Sequence, residues 1–244
     1  MKIGIFGDSY ADGNPQTYNS SGWPHMLKDN YKDVTFHGRS GTSVWWSRNL
    51  FLEHYKNYDV IIFSFTSNNR WPYLPKHLDG SQWNIGYVEE SKSAFLNVVN
   101  PYFWELFPDD LNDYINTSIY KDIVKLCKEN NKYLIAVIPF DHNYDIHTTD
   151  FPCITGLDNL SHREQLEIDG QLIGTIKMFS KTEGFIDIRT CHLSPDNNRI
   201  ISDWMTDCID TKKYGEYFDG DKFPDWKLIA NKEHAMNLIN YNPQ

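Results

Sequence analysis

Two distant segments of this chain carry side chains that could perform nucleophilic chemistry. Ser9 lies in the glycine-flanked segment GDSYADG, residues 7–13. A serine in such a segment could act as a nucleophile if a neighbouring base removed its proton. His192, in the segment CHLS near the other end of the chain, is the histidine that could serve as that base.

Two further segments could stabilise negative charge on a reacting oxygen. The segment HGRSGTS, residues 37–43, contains Gly41, whose backbone N–H could donate a hydrogen bond to an oxyanion. The segment FTSNN, residues 65–69, contains Asn68, whose side-chain amide could donate another. Each segment alone is also consistent with an ordinary polar turn. Their common location in the fold therefore decides between the two interpretations.

The apolar pattern predicts strands and helices that would place these segments. Strands are predicted at 2–6, 34–37, 60–65, 133–138 and 185–188, with helices around 44–55, 119–127 and 200–208. Alternating strands and helices predict a parallel sheet that is covered on both faces. The four segments follow predicted strands, so we expect them at one edge of the sheet, where such folds bind ligands.

The order of these segments resembles that of the SGNH/GDSL hydrolases, a family with Gly-Asp-Ser, glycine, Gly-x-Asn-Asp and Asp-x-x-His segments. The resemblance covers residues 3 to about 209. It implies a three-layer α/β/α fold with a mostly parallel, flavodoxin-like sheet of five strands. It also implies that Ser9 is the nucleophile and His192 its general base. The oxyanion hole would comprise the backbone N–H groups of Ser9 and Gly41 and the side chain of Asn68.

Two segments depart from the family pattern. Thr66 and Asn69 stand where the family has glycine and aspartate, and Arg189 stands where it has the acid that orients the histidine. Asp187 could supply the missing carboxylate, or it could pair with Arg189 on the same strand face. A backbone carbonyl could instead orient His192 in a Ser–His dyad. The sequence leaves these alternatives open.

Two classes of function follow from this resemblance. The first is hydrolysis of carboxylic esters, with an O-acylated carbohydrate favoured over a phospholipid; acyl transfer to a sugar hydroxyl would differ only in the acceptor. The second is a binding or structural module of the same fold whose activity is weak or lost. The chain is also similar to SGNH-like proteins of tailed bacteriophages, so such a module could be associated with a virion.

An aromatic-rich insertion, residues 70–115, interrupts the predicted alternation directly after the Asn68 segment. Its Trp71 and Tyr73 are predicted to contact substrate, because aromatic rings offer large rigid surfaces. The alternative interpretation is that the aromatic residues pack a lobe of their own. We expect a hydrolase domain over residues 1–213 that includes this insertion, and a C-terminal extension over 214–244.

The composition narrows the choice of partners and compartment. A net charge of −10 argues against binding of nucleic acid or an anionic membrane. The sequence shows neither a signal-peptide pattern at its start nor an apolar segment long enough to cross a bilayer. Its four cysteines have no paired spacing. We therefore expect synthesis in the cytoplasm, and the sequence indicates no oligomeric state.

One polar segment contains several side chains that could ligate a metal ion. These are Asp141, His142, Asp145, His147 and Asp150, and their spacing matches no standard metal motif. Hydrolysis through an activated serine needs no metal, so neither a metal nor another cofactor is expected.

Overall fold

The computed structural model describes residues 1–13, 22–66, 70–71, 83–84, 109–139, 150–157, 166–168, 171–173, 175–178, 184–187, 193 and 195–220. In chain order its helices and strands are β1 (Ile3–Gly7), α1 (Trp23–Asn30), β2 (Val34–Gly38), α2 (Val44–His54), β3 (Val60–Ser64), β4 (Arg70–Trp71), β5 (Trp83–Asn84), α3 (Asp109–Glu129), β6 (Tyr133–Val137), β7 (Cys153–Thr155), β8 (Leu166–Ile168), β9 (Gln171–Ile173), β10 (Thr175–Met178), β11 (Gly184–Asp187), α4 (Pro195–Thr211) and β12 (Tyr217–Asp219).

A six-stranded sheet forms the centre of the protein, with the strand order β12-β7-β6-β3-β1-β2. Every pair of neighbouring strands in it is parallel. The order β2-β1-β3-β6-β7 is the flavodoxin-like arrangement, and β12 extends it by one strand. The predicted α/β class and parallel sheet are confirmed, although the sheet has six strands rather than five.

The strand predicted over 185–188 is not part of this sheet, so that prediction was wrong. It is found as β11, which pairs antiparallel with β10 in a separate two-stranded sheet. The fifth strand of the main sheet is β7, which has only three residues. Asp187 therefore lies at the end of β11, opposite Thr175, and not on a strand of the main sheet.

The chain beyond residue 213 also contributes to the main sheet. Within the expected C-terminal extension, β12 pairs with β7 in the register Tyr217 to Cys153. The last described helix, α4, therefore leads back to the sheet. The expected boundary at residue 213 thus lies a few residues before a strand of the main sheet.

Apolar side chains are buried on both faces of the sheet, which produces three layers. In β3, Val60 and Ile62 pack in one cluster with residues of α1 and α4, whereas Ile61 and Phe63 pack in the other with residues of α2 and α3. Continuous apolar strands of this kind are typical of parallel sheets covered on both sides. Within the described part of the chain, no helix combines the length and apolar character needed to cross a membrane.

Candidate active site

Ser9 directly follows β1 at the carboxyl edge of the main sheet. The chain passes from β1 to β2 on one side, whereas β3 lies on the other side of β1. Loops that leave neighbouring strands in opposite directions open a crevice, and sheets of this order bind ligands at that switch point. The loop that carries Ser9, residues 8–13, is called the β1 loop below. Ser9 itself is 2% exposed.

Gly7 allows the close approach of strands immediately before Ser9. Its φ is +150°, a region that favours glycine. A Cβ at this position would lie 2.7 Å from the Cβ of Ser64 and 2.8 Å from its carbonyl oxygen. Because Ser64 ends β3, a side chain at position 7 would force the ends of β1 and β3 apart.

Gly41 lies in the loop between β2 and α2, residues 39–43, called the β2 loop below. Its φ is +79°, and among the described residues no heavy atom would lie within 4 Å of a Cβ there. Gly41 is exposed in that part of the chain. The loop runs directly into α2, whose N-cap Ser43 accepts a hydrogen bond from the backbone N–H of Trp46. The partial positive charge of this helix end favours an anion nearby.

Backbone hydrogen bonds join the β1 loop to the β2 loop. The N–H of Arg39 donates to the carbonyl oxygen of Gly7 at 3.1 Å. The N–H of Ser40 donates to Oδ2 of Asp12, also at 3.1 Å. The two loops that carry the candidate nucleophile and the candidate N–H donor are therefore held directly against each other.

A side-chain hydrogen bond joins the β1 loop to the segment after β3. Oγ1 of Thr66 donates to Oδ2 of Asp8 at 2.7 Å, and the backbone N–H of Tyr10 donates to Oδ1 of the same carboxyl group at 3.1 Å. Asp8 and Thr66 are both buried. In the sequence, Thr66 is notable only as a departure from the family pattern, and no role is predicted for Asp8. An aspartate that accepts from the N–H two residues later is a common turn pattern, so the contact with Tyr10 could have been expected.

His37, at the start of the HGRSGTS segment, serves packing and not catalysis. Its ring stacks on those of Phe6 and His54, each at 4.7 Å between centroids. Its Nε2 is 2.6 Å from the hydroxyl oxygen of Tyr58. Burial lowers the pKa of His37 to about 4, with a smaller contribution from His54. His37 is therefore neutral at pH 7 and engaged in packing.

The residue that follows His192 is buried and bonded to α4. Leu193 belongs to the same apolar cluster as Tyr10 and Ala11. Its carbonyl oxygen accepts a hydrogen bond from Nδ2 of Asn198, at 3.1 Å. Oδ1 of Asn198 in turn accepts from the backbone N–H of Trp23, at 3.0 Å. Asn198 thus joins Leu193 to the start of α1.

The other predicted site residues lie wholly or partly outside the described residues. For Trp71 and Asp187 the structure describes the backbone, in β4 and β11, but not the side chain. Three predicted site residues, together with the arginine at the family's acid position, are outside it altogether: Asn68, Tyr73, His192 and Arg189. Their predicted roles remain predictions.

The polar segment considered for metal binding is also mostly outside the described residues. Of its five candidate ligands only Asp150 is described, and its carboxylate forms an ion pair with the ammonium group of Lys128. Across the ranges that the structure describes, no three His, Cys, Asp or Glu side chains are grouped so that they could hold a metal ion.

No protein-family profile and no curated protein sequence matches the chain. Solved structures similar to it include a protein assigned to the lipolytic G-D-S-L family from Desulfitobacterium hafniense, with 10% identity and a TM-score of 0.42 over 84% of this chain and 98% of that one. The esterase EstA from Pseudoalteromonas sp. has 13% identity and a TM-score of 0.42 over 86% and 97% of the two chains. A carbohydrate esterase has 13% identity and a TM-score of 0.47 over 87% and 69%. GDSL-family lipolytic proteins and esterases are thus the structural neighbours of this chain, at low identity and with TM-scores below 0.5.

Proposed function

We propose that this protein is a serine hydrolase that cleaves carboxylic esters, with Ser9 as its nucleophile. The observation that carries the proposal is the placement of Ser9 at the switch point between β1 and β3, in a loop bonded to the loop that contains Gly41. Hydrogen bonds join the β1 loop to both neighbouring loops. Acyl transfer requires such fixed positions, because its donors must be aimed at charge that develops only in the transition state.

In the proposed reaction, Oγ of Ser9 attacks the ester carbonyl carbon while a ring nitrogen of His192 accepts the hydroxyl proton. The resulting oxyanion accepts hydrogen bonds from the backbone N–H groups of Ser9 and Gly41 and from the side chain of Asn68. The bond to the alcohol oxygen breaks as the imidazolium returns its proton to that oxygen. Water, deprotonated by the same imidazole, then attacks the acyl-enzyme and releases the carboxylic acid and the free serine.

The assignment of His192 as base is supported by its neighbour in the chain. Leu193 is buried in the same apolar cluster as Tyr10 and Ala11, and its carbonyl oxygen accepts a hydrogen bond from Asn198. For the group that orients the imidazole we retain Asp187, with a backbone carbonyl as the alternative. Replacing Asp187 by asparagine distinguishes them, because loss of a true triad acid lowers kcat by several orders of magnitude.

We propose an O-acylated carbohydrate as the substrate class. Trp71 and Tyr73 follow the β3 strand closely in sequence and would offer flat apolar surfaces to a sugar ring. The net charge of −10 disfavours anionic lipid surfaces as the alternative source of esters.

Labelling with a fluorophosphonate probe tests the nucleophile directly. The wild type should be labelled and Ser9→Ala should not. Ser118→Ala is the matched control, because Oγ of Ser118 bonds the carbonyl of Tyr114 within α3 and lies outside the site; it should be labelled like the wild type. His192→Ala should slow labelling by about 100-fold or more. Labelling of Ser9→Ala equal to that of the wild type would exclude Ser9 as the nucleophile.

The second candidate function is a binding or structural module with weak or lost activity, as in a virion-associated protein. Two observations favour it: Ser9 is only 2% exposed, and Arg189 occupies the acid's position in the family pattern. A folded wild-type protein that resists the probe and cleaves neither a p-nitrophenyl ester nor an acetylated oligosaccharide would establish this function over the first.

A further inference from the structure

A buried hydrogen bond spans the switch point at which Ser9 lies. It runs from Oγ1 of Thr66 to Oδ2 of Asp8 over 2.7 Å and joins residues that are 58 positions apart in sequence. Asp8 is 0% exposed and Thr66 is 1% exposed. Because the loops after β1 and β3 leave the sheet in opposite directions, this bond joins two loops that the fold itself separates.

The bond is costly to remove. A carboxyl group buried away from water requires hydrogen-bond donors, and the loss of one removes part of its solvation. In Asp8 one oxygen accepts from the backbone of Tyr10 within its own loop. The other accepts from Thr66, so Thr66 supplies a contact that reaches across to the neighbouring loop. A hydroxyl donor to a carboxylate forms one of the stronger hydrogen bonds in proteins.

The location of this bond relates it to the proposed chemistry. Asp8 directly precedes Ser9, and Thr66 lies two residues before Asn68. Ser9, the proposed nucleophile, is therefore one residue from one end of the bond. Asn68, the proposed oxyanion donor, is two residues from the other end. Reacting groups displaced by about 1 Å can lose on the order of 100-fold in rate.

We infer that Asp8 and Thr66 are positioning residues that set the distance between the nucleophile and the oxyanion donor on the β3 side of the site. This inference rests on the proposed function. The family that this chain resembles has glycine where the chain has Thr66. The inference accounts for this difference, because the threonine hydroxyl provides a donor that glycine lacks. Neither side chain is required to contact the substrate.

Thr66→Val and Thr66→Ser test the inference, because valine keeps the shape without the donor and serine keeps the donor. Kinetics with p-nitrophenyl acetate should show kcat lowered by about 10- to 100-fold in Thr66→Val, with KM within about twofold and an unchanged pH profile. Thr66→Ser should recover kcat to within about threefold. Thr155→Val removes a hydroxyl that contacts Tyr217 at the far edge of the sheet, and should leave both constants unchanged.

Active sites are counted by fluorophosphonate titration, so that kcat refers to folded molecules only. If Thr66→Val fails to fold, Thr66→Ala removes the donor without adding bulk and should show the same loss of kcat. Wild-type kcat in folded Thr66→Val or Thr66→Ala would overturn the inference while leaving the hydrolase proposal intact, as would equal loss in Thr66→Ser. A wild type that neither reacts with the probe nor cleaves the ester would overturn both.

Discussion

The two edges of the main sheet use their polar groups in different ways. At the carboxyl edge, carboxyl, hydroxyl and backbone groups of three loops bond to one another, and Asp8, Asp12, Thr42 and Thr66 are buried. At the amino edge, a cavity of about 540 Å³ is lined by aromatic side chains and by three lysines, Lys128, Lys132 and Lys212.

The ammonium group of Lys132 and the hydroxyl group of Tyr133 bond carbonyls at the ends of a short 3₁₀ helix, Tyr55–Asn57, and of α4. Nζ of Lys132 donates to the carbonyl oxygens of Lys56 and Tyr58 at 3.1 and 2.7 Å. The hydroxyl of Tyr133 donates to the carbonyl of Cys208, near the end of α4, at 2.8 Å. Carbonyls at helix ends lack partners within the helix, so such contacts stabilise the fold.

The carboxyl edge and the amino edge of the sheet make different contributions to the protein. Polar groups that are buried and bonded across separate loops fix positions to within fractions of an ångström, as a reaction requires. Polar groups that complete helix ends contribute to stability wherever they occur. Substitutions in the bonded loops around Ser9 should therefore change rates, and those at the amino edge should change stability alone.

The largest effect is expected for Gly7→Ala. The new methyl group would overlap Ser64 and Ala11, and alanine would be strained at a φ of +150°. We expect a loss of about 3 kcal/mol in the free energy of unfolding, together with loss of probe labelling. Urea denaturation measures the former. An alanine variant as stable as the wild type would show that β1 and β3 need not approach so closely.

Gly41→Ala should lower the labelling rate of Ser9 with only a small change in the free energy of unfolding. No described residue approaches a Cβ at this position, so we expect the change to cost only the strain of a left-handed residue, about 1 kcal/mol. The shift of the backbone N–H should nevertheless lower the labelling rate by about tenfold or more. The rate is measured at 25 °C, where the variant remains folded. An unchanged rate would remove Gly41 from the oxyanion hole.

Tyr133→Phe, at the amino edge, should show the opposite behaviour. It removes a hydroxyl that bonds the carbonyls of Cys208 and Lys213. We expect the free energy of unfolding to fall by about 1 kcal/mol, with the labelling rate of Ser9 unchanged. A slower reaction in this variant would mean that the two edges are coupled through the sheet.

The smallest effect concerns His37, whose folded-state pKa of about 4 lies below its unfolded value of about 6.5. Between these values the unfolded chain binds more protons, so stability due to neutral His37 is present above about pH 6.5 and is lost as pH falls toward 4. His37→Phe keeps the ring stacking. When the pH is lowered from 6.5 to 4.5, the thermal midpoint of this variant should fall less than that of the wild type. Its labelling rate at pH 7 should equal that of the wild type.

The parts of the fold that could be predicted from sequence are the long, strongly patterned elements. The predicted strands at 2–6, 34–37, 60–65 and 133–138 are found as β1, β2, β3 and β6, because buried parallel strands are nearly continuous apolar runs. Three residues of β7 give too short a pattern to recognise. The apolar residues of β11 identify a strand, but not the partner with which it pairs.

The site could be predicted only as far as local sequence determines it. Ser9 and Gly41 could be placed at the carboxyl edge because each lies in the segment that follows a predicted strand. The bond from Thr66 to Asp8 could not, since it depends on the register in which β1 and β3 pair, Phe6 opposite Phe63. No local pattern encodes that register across 58 residues.

The pairing of β12 with β7 has a consequence for how copies of this chain behave towards one another. Phe218 is buried beneath the sheet, and β12 occupies the hydrogen-bonding side of β7 that β6 leaves open. A chain that ended before residue 217 would present the backbone of β7 as an unpaired margin able to recruit strands from other molecules. These last described residues therefore cover the backbone of β7 as well as completing the sheet.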